Sequence, residues 1–173
     1  MNVLEAIRSR RSTRAFQPKP LAPEVITAIE EAILHCPSGS NAQESHFVIV
    51  QDPVQLRRIK RFAPGLGGEP AGLVVLCSNQ TEALSRGGKD TAEVLRFVNL
   101  GIAASSILLT AHSLGVGTCP VRSFHRGAVK QLLGLPEDVD PELLITLGYP
   151  AQPPRPKTSK PATEVISHER YSR

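Results

Sequence analysis

The stretch Asp90-Thr-Ala-Glu-Val-Leu-Arg-Phe-Val-Asn-Leu-Gly-Ile-Ala-Ala-Ser-Ser-Ile-Leu-Leu-Thr-Ala-His-Ser-Leu114 holds the longest apolar pattern in the chain. Its apolar residues recur at helical spacing, and Asp90 with Glu93 has the spacing of a capping box, which predicts a central helix closed by Gly115 and Gly117. Residues 101–106 carry mostly small side chains. Small side chains let a second helix approach closely, so this segment favours a helix-on-helix dimer seam.

Shorter elements are predicted on both sides of the central helix. Asn2 and Glu5 form a second capping-box pattern, which starts a helix that ends near Arg10-Arg11-Ser12, and a further helix at about residues 23–35 ends at Pro37. The other predicted elements are strands at His46–Val50, Leu73–Cys77, Thr118–Val121 and Leu143–Leu147, a short helix starting at Asp52-Pro53, and a helix at Gly127–Leu133 capped by Gly134. Helices and strands are therefore mixed in one compact unit.

The C-terminal segment differs from the rest of the chain. At 173 residues the chain has the size of one domain. The stretch from Ala151 to Pro161 contains four prolines and is too rich in proline to form a helix or strand in isolation. We therefore predict a core at residues 1–149 and an arm at residues 150–173 that belongs to the same domain.

The composition excludes several classes of protein. Hydrophobic residues make up 40% of the chain and charged residues 21%, which is too apolar for a disordered protein and too mixed for a membrane protein. The longest uncharged stretch, residues 97–111, falls short of the roughly 20 apolar residues of a bilayer span, and the Arg-rich N-terminus lacks a secretory signal pattern. We therefore expect a soluble cytoplasmic protein. Its three cysteines are far apart and its histidines lack metal-ligand spacing, so neither disulfides nor a metal site is expected.

The net charge of +4 is unevenly distributed. Residues 1–20 hold five basic residues against Glu5 alone, and residues 150–173 hold five against two acidic residues, which leaves an acidic centre. If the two basic ends meet in the fold they form one compact anion site, whereas a nucleic-acid duplex needs a longer basic face. Aromatic residues make up only 4% of the chain and Trp is absent, which further disfavours nucleic-acid binding.

The first candidate binding segment is Arg10-Arg11-Ser12-Thr13-Arg14, where the first helix gives way to an extended chain. Guanidinium groups and a hydroxyl beside free backbone amides suit a phosphate, because charge-assisted and bidentate hydrogen bonds are strong. The alternative is a solvated basic run.

The second candidate is the small, polar loop Cys36-Pro37-Ser38-Gly39-Ser40-Asn41-Ala42-Gln43 between a helix and a strand. Backbone amides at Gly39 together with Ser and Asn side chains can hydrogen-bond the polar edge of a planar ring. The alternative is an ordinary turn, since Pro, Ser, Gly and Asn are the usual turn residues.

Taken together and in this order, the motifs resemble those of the nitroreductase family of flavin enzymes. The most specific are Arg-Arg-Ser-x-Arg-x-Phe at Arg10–Phe16, Pro-Ser-x-x-Asn-x-Gln at Pro37–Gln43, and Gly-Leu-Pro-Glu at residues 134–137 preceding Leu-Gly-Tyr-Pro at residues 147–150. The end of the chain, Glu164 to Tyr171, is also similar to the family's C-terminus. The resemblance covers nearly the whole chain.

The resemblance implies an α+β fold with a central, mostly antiparallel sheet surrounded by helices, and FMN held at a homodimer interface. It also implies that the C-terminal arm is exchanged between the subunits and that NADH or NADPH supplies electrons to a small acceptor such as a nitroaromatic or a quinone. No side chain is expected to act as a catalytic residue, because the flavin itself accepts and passes on the hydride. The residues implied in FMN binding are Arg10, Arg11, Ser12, Arg14, Pro37, Ser38, Gly39, Asn41, Pro120, Val121, Lys157 and Lys160, of which Ser38, Gly39 and Asn41 come from the other subunit.

The chain also departs from the family pattern. Glu44-Ser45 follows the second motif where the family commonly has Pro-Trp, and Lys160 stands where the family usually has Arg. The connection from Cys77 to Asp90 is short, so we expect few covering helices and an open substrate face. Polar groups expected at that face are Glu44, Arg122 and His125. The substrate does not transfer from the resemblance.

Two other functions remain open on the sequence. One is a specialised flavin reaction on the same fold, such as ene reduction, dehydrogenation or dehalogenation. The other is a non-catalytic protein that binds anions or nucleic acid through its basic ends. The localised charge and the scarcity of aromatic residues favour the enzyme.

Overall fold

The computed structural model describes residues 1–171 and contains one four-stranded sheet. The strands are β1 (Ser45–Val50), β2 (Gly72–Asn79), β3 (Gly117–Val121) and β4 (Val139–Gly148). Their order is β1-β2-β4-β3, and each neighbouring pair is antiparallel. This confirms the predicted antiparallel sheet.

Helices cover both faces of the sheet. They are α1 (Val3–Ser9), α2 (Pro23–Leu34), α3 (Pro53–Lys60), α4 (Gln80–Asp90), α5 (Arg96–Ser113), α6 (Arg126–Leu133) and α7 (Ala162–Val165). Successive side chains of β2 alternate between two hydrophobic cores. Val75 and Cys77 pack with α3 and α6 on one face, whereas Val74 and Leu76 pack with α2 and α5 on the other. Burial on both faces explains the continuous apolar run of this strand.

Residues predicted to cap helices do so at three places. Asn2 and Glu5 form the reciprocal capping box of α1. The Asp52 carboxylate accepts hydrogen bonds from the backbone N–H groups of Val54 and Gln55 at the start of α3. Gly134 ends α6 in the left-handed conformation with a φ of 63°. These local signals fix where the helices begin and end.

The predicted start of the central helix at Asp90 is wrong. Asp90 has helical backbone angles and makes no capping bond from its side chain. The helix begins earlier because Asn79 accepts a hydrogen bond from the Glu82 backbone N–H, and it continues through a π-helical turn at Thr91–Leu95 into α5. The short connection between Cys77 and Asp90 is therefore itself a helix, α4.

The combined helix Gln80–Ser113 is long and apolar enough to span a bilayer by length and composition alone. In this fold one face of it packs on the core. Leu100 and Ile107 of α5 are buried in the core shared with α2, and Asn99 is buried in a hydrogen-bond network. These are the contacts of a core helix, so no membrane is indicated.

The predicted arm contributes no strand within the described residues. Residues 151–171 are exposed along their whole length and contain only the short helix α7. The root of the arm is anchored to the N-terminal segment, because the backbone N–H of Ala151 donates to the carbonyl of Ala15 at 3.0 Å and Phe16 bridges Pro150. The N-terminal segment and the root of the arm therefore meet, but among the described residues the basic side chains beyond the root form no ion pair with the core.

Candidate functional site

The first predicted segment docks along strand β3. Ser12 forms an isolated parallel bridge with Thr118, and the backbone N–H of Thr13 donates to the carbonyl of Thr118 at 2.8 Å. The approach is so close that a Cβ atom at Gly117 would lie 2.5 Å from the hydroxyl oxygen of Thr13. This docking places residues 10–14 beside Pro120, as the sequence predicted for one site.

Arg10 presents a free hydrogen-bond donor in this cluster. Its Nη1 atom is buried and has no hydrogen-bond partner in the structure. Arg11 differs, because its Nη1 donates to the carbonyl oxygens of Arg8 and Arg10, each at 2.8 Å. A buried guanidinium donor without a partner is costly, so Arg10 is suited to an anion such as a phosphate group.

His112 at the end of α5 belongs to the same cluster. Its Nε2 lies 2.7 Å from the Ser9 hydroxyl. Partial burial lowers the pKa of His112 below its usual 6.5, and the positive charges of Arg10 and Arg11 lower it further. The imidazole is therefore held neutral beside the arginines, which leaves the cluster basic through its guanidinium groups alone.

A glycine-rich loop covers the backbone of Arg14. A Cβ atom at Gly68 would lie 2.5 Å from the Arg14 carbonyl oxygen, and Gly68 also has a φ of +66°. Both observations require glycine at this position. A Cβ atom at Gly65 in the same loop would lie 3.0 Å from Val121, so the loop joins Arg14 to the end of β3. Arg14 itself is exposed.

Strand β3 supplies a different surface from the one predicted. Pro120 is exposed, but the side chain of Val121 is buried in the hydrophobic core with Leu144 and Val129. Only Pro120 and the backbone at Val121 can therefore border a ligand. The exposed residue that follows them is Arg122.

The second predicted segment forms a tight loop with unusual backbone angles. Ser40, Asn41 and Gln43 have φ values of 54°, 51° and 52°. Ser38 holds the turn together, because its carbonyl accepts from the Asn41 backbone N–H at 3.0 Å and its hydroxyl accepts from the Gln43 backbone N–H at 3.2 Å. Strained backbone angles of this kind persist only where contacts with the surrounding structure hold the backbone in place, and they are common at ligand sites.

This loop borders an open groove that has a volume of about 710 Å³. Apolar side chains of α2 and β1, including Ile33 and Phe47, form one wall, and Pro37, Ser38 and Asn41 form the rim. The groove is open, mostly apolar and rimmed by hydrogen-bonding groups, which are the usual properties of a ligand or partner surface.

The two predicted segments do not meet within one chain. The loop packs on Leu95 in the π-helical turn and on Asn99 near the start of α5. The segment at residues 10–14 follows Ser9, which contacts His112 near the other end of α5. Phe97 and Gly101 point away from Asn99, because residues two positions apart on a helix point in nearly opposite directions, and they line a smaller groove of about 190 Å³ with Arg122.

The basic residues of the arm are also apart from residues 10–14. Lys157 is fully exposed, and Lys160 lies 3.9 Å from Glu164 within the arm itself. Thus the structure docks the segment at residues 10–14 on Thr118 of β3, two residues before Pro120, and it leaves the loop at residues 37–43 and the two lysines elsewhere.

Glu44 does not lie on an open substrate face as expected. It is only 1% exposed, and its Oε1 accepts a hydrogen bond from Asn99 Nδ2 at 2.9 Å. Asn99 Oδ1 in turn accepts from the backbone N–H of Gly39 at 3.0 Å. The sequence analysis missed Asn99, although a polar residue on the buried face of an apolar helix was the available signal.

A second buried carboxylate, Glu142, gathers three arginines beside the smaller groove. Arg126 Nη2 donates to Glu142 Oε1 at 2.6 Å, and Arg96 and Arg122 lie 3.8 and 3.9 Å away. One carboxylate thus faces three guanidinium groups, so the surface near Arg122 is positive. No sequence motif predicted this cluster, because its members come from α5, α6, β4 and the end of β3.

The described residues contain no group of three His, Cys, Asp or Glu side chains able to hold a metal ion. The three cysteines are free thiols. Burial and the nearby Glu142 and Asp140 carboxylates raise the pKa of Cys77 to about 12, so this thiol is inert.

Comparison with known proteins decides the family. The family model described as "Nitroreductase family" matches residues 7–64 and 60–149 of this chain. The chain belongs to the nitroreductase family. A relative in Methanothermobacter thermautotrophicus, named for NADH dehydrogenase and NAD(P)H nitroreductase, is 32% identical over 162 residues, which cover 89% of this chain and 80% of the relative. The FMN reductase [NAD(P)H] of Bacillus subtilis is 27% identical over 98% of this chain and 74% of its own length.

Solved structures of the nitroreductase family share the fold. The NADPH:FMN oxidoreductase of Vibrio harveyi, solved in complex with NAD+, superposes with a TM-score of 0.88 at 27% identity and covers all of this chain and 79% of its own. An oxidoreductase structure from Bacillus subtilis gives a TM-score of 0.90 at 26% identity and covers all of this chain and 76% of its own. The predicted α+β fold of this family, with an antiparallel sheet and surrounding helices, is therefore confirmed, and the exchange of the arm between subunits stays a prediction.

Proposed function

We propose that this protein is an FMN-dependent oxidoreductase that transfers hydride from NADH or NADPH through the flavin to small acceptors such as nitroaromatics or quinones. Membership of the nitroreductase family supports the reaction class. The names of relatives that include FMN reductase and NADPH-flavin oxidoreductase support the cofactor and the electron donor. The observation in this chain that carries the proposal is the buried, unpartnered Nη1 of Arg10.

The residues at the N-terminal cluster fit a flavin phosphate. Arg10 has a free donor, and Arg11 and Ser12 lie beside it on an extended segment fixed to β3. Arg14 and Pro120 extend the same surface, which would hold the rest of the cofactor. When bound, FMN supplies the hydride chemistry, and these residues bind and orient it.

The protein acts as a homodimer in this proposal. Residues 37–41 complete the site from the partner subunit, because within one chain they lie on the other side of α5 from Arg122. The surface of α5 supports such an assembly, since Val94, Val98 and Ile102 form an exposed apolar stripe around Gly101. Nothing lies within 4 Å of a Cβ atom at Gly101, so a partner helix can approach there.

The arm belongs to the same assembly. Residues 1–149 form the core, and residues 150–173 pack on the partner subunit in this proposal, where Lys157 and Lys160 reach the phosphate. The arm exposes Val165 and Ile166, which is unfavourable for a free segment in water. We place the protein in the cytoplasm, where NADH and NADPH are available, and assign it no nucleic-acid or membrane partner.

The proposal is tested by absorbance and equilibrium sedimentation of the purified protein. A yellow dimer that releases FMN on denaturation is the expected result. A colourless protein that does not take up added FMN supports the rival anion-binding function instead. Binding of duplex DNA that weakens steeply with salt would favour that rival directly.

A further inference from the structure

The carboxylate of Glu44 is buried, and few interactions offset the cost of removing it from water. The residue is 1% exposed, its Oε1 accepts one hydrogen bond from a neutral amide, and its Oε2 has no hydrogen-bond partner. Glu142, which is buried to a similar extent, is surrounded by three arginines. Burying a carboxylate without a cation is unfavourable. Stabilisation of the fold therefore does not explain a glutamate at this position.

The hydrogen bond from Asn99 to Glu44 fixes the orientation of the Asn99 amide. An amide group has an acceptor oxygen on one side and a donor NH₂ on the other. Since the acidic Glu44 accepts from Nδ2, the Oδ1 of Asn99 must face the opposite side, where it accepts from the Gly39 backbone N–H at 3.0 Å. If Glu44 were apolar, the amide could rotate and place its NH₂ against the N–H of Gly39.

Gly39 is the point at which the strained loop is attached to α5. A Cβ atom at Gly39 would lie 3.3 Å from the Leu95 side chain and 3.7 Å from Asn99 Oδ1, so the backbone approaches the helix closely. The next two residues, Ser40 and Asn41, have left-handed backbone angles. At the other end of the loop, the carbonyl of Glu44 accepts from the Asn79 backbone N–H at 2.9 Å. The side chain of Glu44 is thus connected through Asn99 to Gly39, while its backbone holds the other end of the loop.

We propose that Glu44 is a positioning residue that sets the conformation of the loop at residues 37–43 by orienting Asn99. The inference rests on the proposed function, because the loop affects catalysis only where it contacts FMN. Glu44 does not touch the cofactor in this arrangement. It determines whether Ser38 and Asn41 present their polar groups in the geometry that the flavin ring requires.

The first test uses the protein without FMN. Amide hydrogen exchange at Gly39 is compared in the unaltered protein, Glu44→Met and Glu44→Gln, with Ser113→Ala at the exposed end of α5 as a control. Glu44→Met is expected to speed exchange at Gly39 by about tenfold, the change that corresponds to loss of one hydrogen bond. Glu44→Gln retains an acceptor oxygen for Asn99 and is expected to exchange like the unaltered protein.

The second test compares FMN affinity with thermal stability in the same variants and in Asn99→Leu. Glu44→Met is expected to weaken FMN by about tenfold while Tm stays the same or rises, because an uncompensated buried charge has been removed. Glu44→Gln is expected to restore the affinity. Asn99→Leu combined with Glu44→Met is expected to be no weaker than either single variant, since both break the same connection.

Two results would overturn the inference. One is an unchanged exchange rate at Gly39 together with unchanged FMN affinity in Glu44→Met. The other is equal loss in Glu44→Gln and Glu44→Met with a lower Tm in both, which is what a purely structural role predicts. If the unaltered protein does not bind FMN at all, the proposed function fails, and the exchange comparison still decides the role of Glu44.

Discussion

At the scale of single residues, the site depends on where buried polar atoms find partners. Arg10 and Arg11 are adjacent in sequence, yet one guanidinium is satisfied by backbone carbonyls and the other has a free buried donor. The sequence motif alone does not distinguish the roles of these two arginines. The structure separates a residue that shapes the segment, Arg11, from a residue that is available to a ligand, Arg10.

The substitution Arg10→Ala is expected to weaken FMN binding by about 1.5–3 kcal/mol, the usual range for a hydrogen bond to a charged group. Riboflavin, which lacks the phosphate, is expected to bind the variant nearly as well as it binds the unaltered protein. Fluorescence titration with both ligands measures the difference, and Arg8→Ala on the exposed side of α1 is the control. An equal loss for FMN and riboflavin would place Arg10 away from the phosphate.

His112 provides a pH-dependent report on the same cluster. Burial and the charges of Arg10 and Arg11 lower the pKa of His112 in the folded protein. The imidazole therefore binds a proton more readily in the unfolded chain than in the folded protein. As a result, the free energy of unfolding decreases as the pH drops below about 6.5. A phosphate bound at Arg10 offsets the positive field and is expected to raise the pKa of His112. NMR titration of the imidazole with and without inorganic phosphate measures this change. The His125 signal serves as an internal reference, and an unmoved His112 titration would argue against a phosphate at this cluster.

At the scale of elements, most helices and strands follow from the sequence because their signals are local. The caps at Asn2, Asp52 and Gly134 and the apolar run of β2 each act within a few residues. Asp90 shows the limit of this reasoning. It has a capping pattern in sequence, but the helix that starts at Gln80 already passes through it.

The candidate site could be predicted in part for the same reason. The segment at residues 10–14 and the loop at residues 37–43 have local motifs, and both occur as distinct structures. The Glu44, Asn99 and Gly39 network joins residues up to 60 positions apart and has no local signal. The direction of the Val121 side chain also depends on the register of β3 against β4, which sequence alone does not fix.

The arm is expected to connect dimerisation to flavin binding. Removing residues 152–173 keeps the contact between Ala151 and Ala15 but removes the part of the arm that is proposed to pack on the partner. The truncated protein is expected to dissociate on sedimentation and to lose FMN together with the dimer. A Lys157→Ala/Lys160→Ala variant separates the two effects, because it is expected to weaken FMN while leaving the dimer intact. A truncated protein that stays dimeric and saturated with flavin would contradict this role of the arm.

At the scale of the whole molecule, the proposed function requires two chains, because the loop at residues 37–43 and the segment at residues 10–14 lie apart within one chain. In the proposed dimer each chain contributes the segment to one site and the loop to the other. Arg122, whose side chain is 59% exposed, is the charged residue expected at the substrate face of that site. Substrate specificity requires side chains that pack closely around the substrate, and each such contact contributes only a few kcal/mol of discrimination between substrates.

An open site of this kind is expected to reduce several unrelated acceptors slowly. Steady-state kinetics with quinones, nitroaromatics, enones and free flavins checks this expectation. Because Arg122 and its neighbours are positive, acceptors with an acidic group are expected to have lower KM values than their neutral esters, and Arg122→Ala is expected to remove the difference. One acceptor with kcat/KM of about 10⁶ M⁻¹s⁻¹ or more while all others are inert would show a selective site.

The central claim is that a flavin bound by this chain accepts hydride from a nicotinamide. The most direct measurement is an anaerobic titration of the FMN-loaded protein with NADH and with NADPH, following the visible absorbance of the flavin. The account predicts that one of the two bleaches the bound flavin in an approximately equimolar titration, and that adding a quinone restores the colour. A bound flavin that neither NADH nor NADPH reduces, or a protein that binds no FMN, would contradict it.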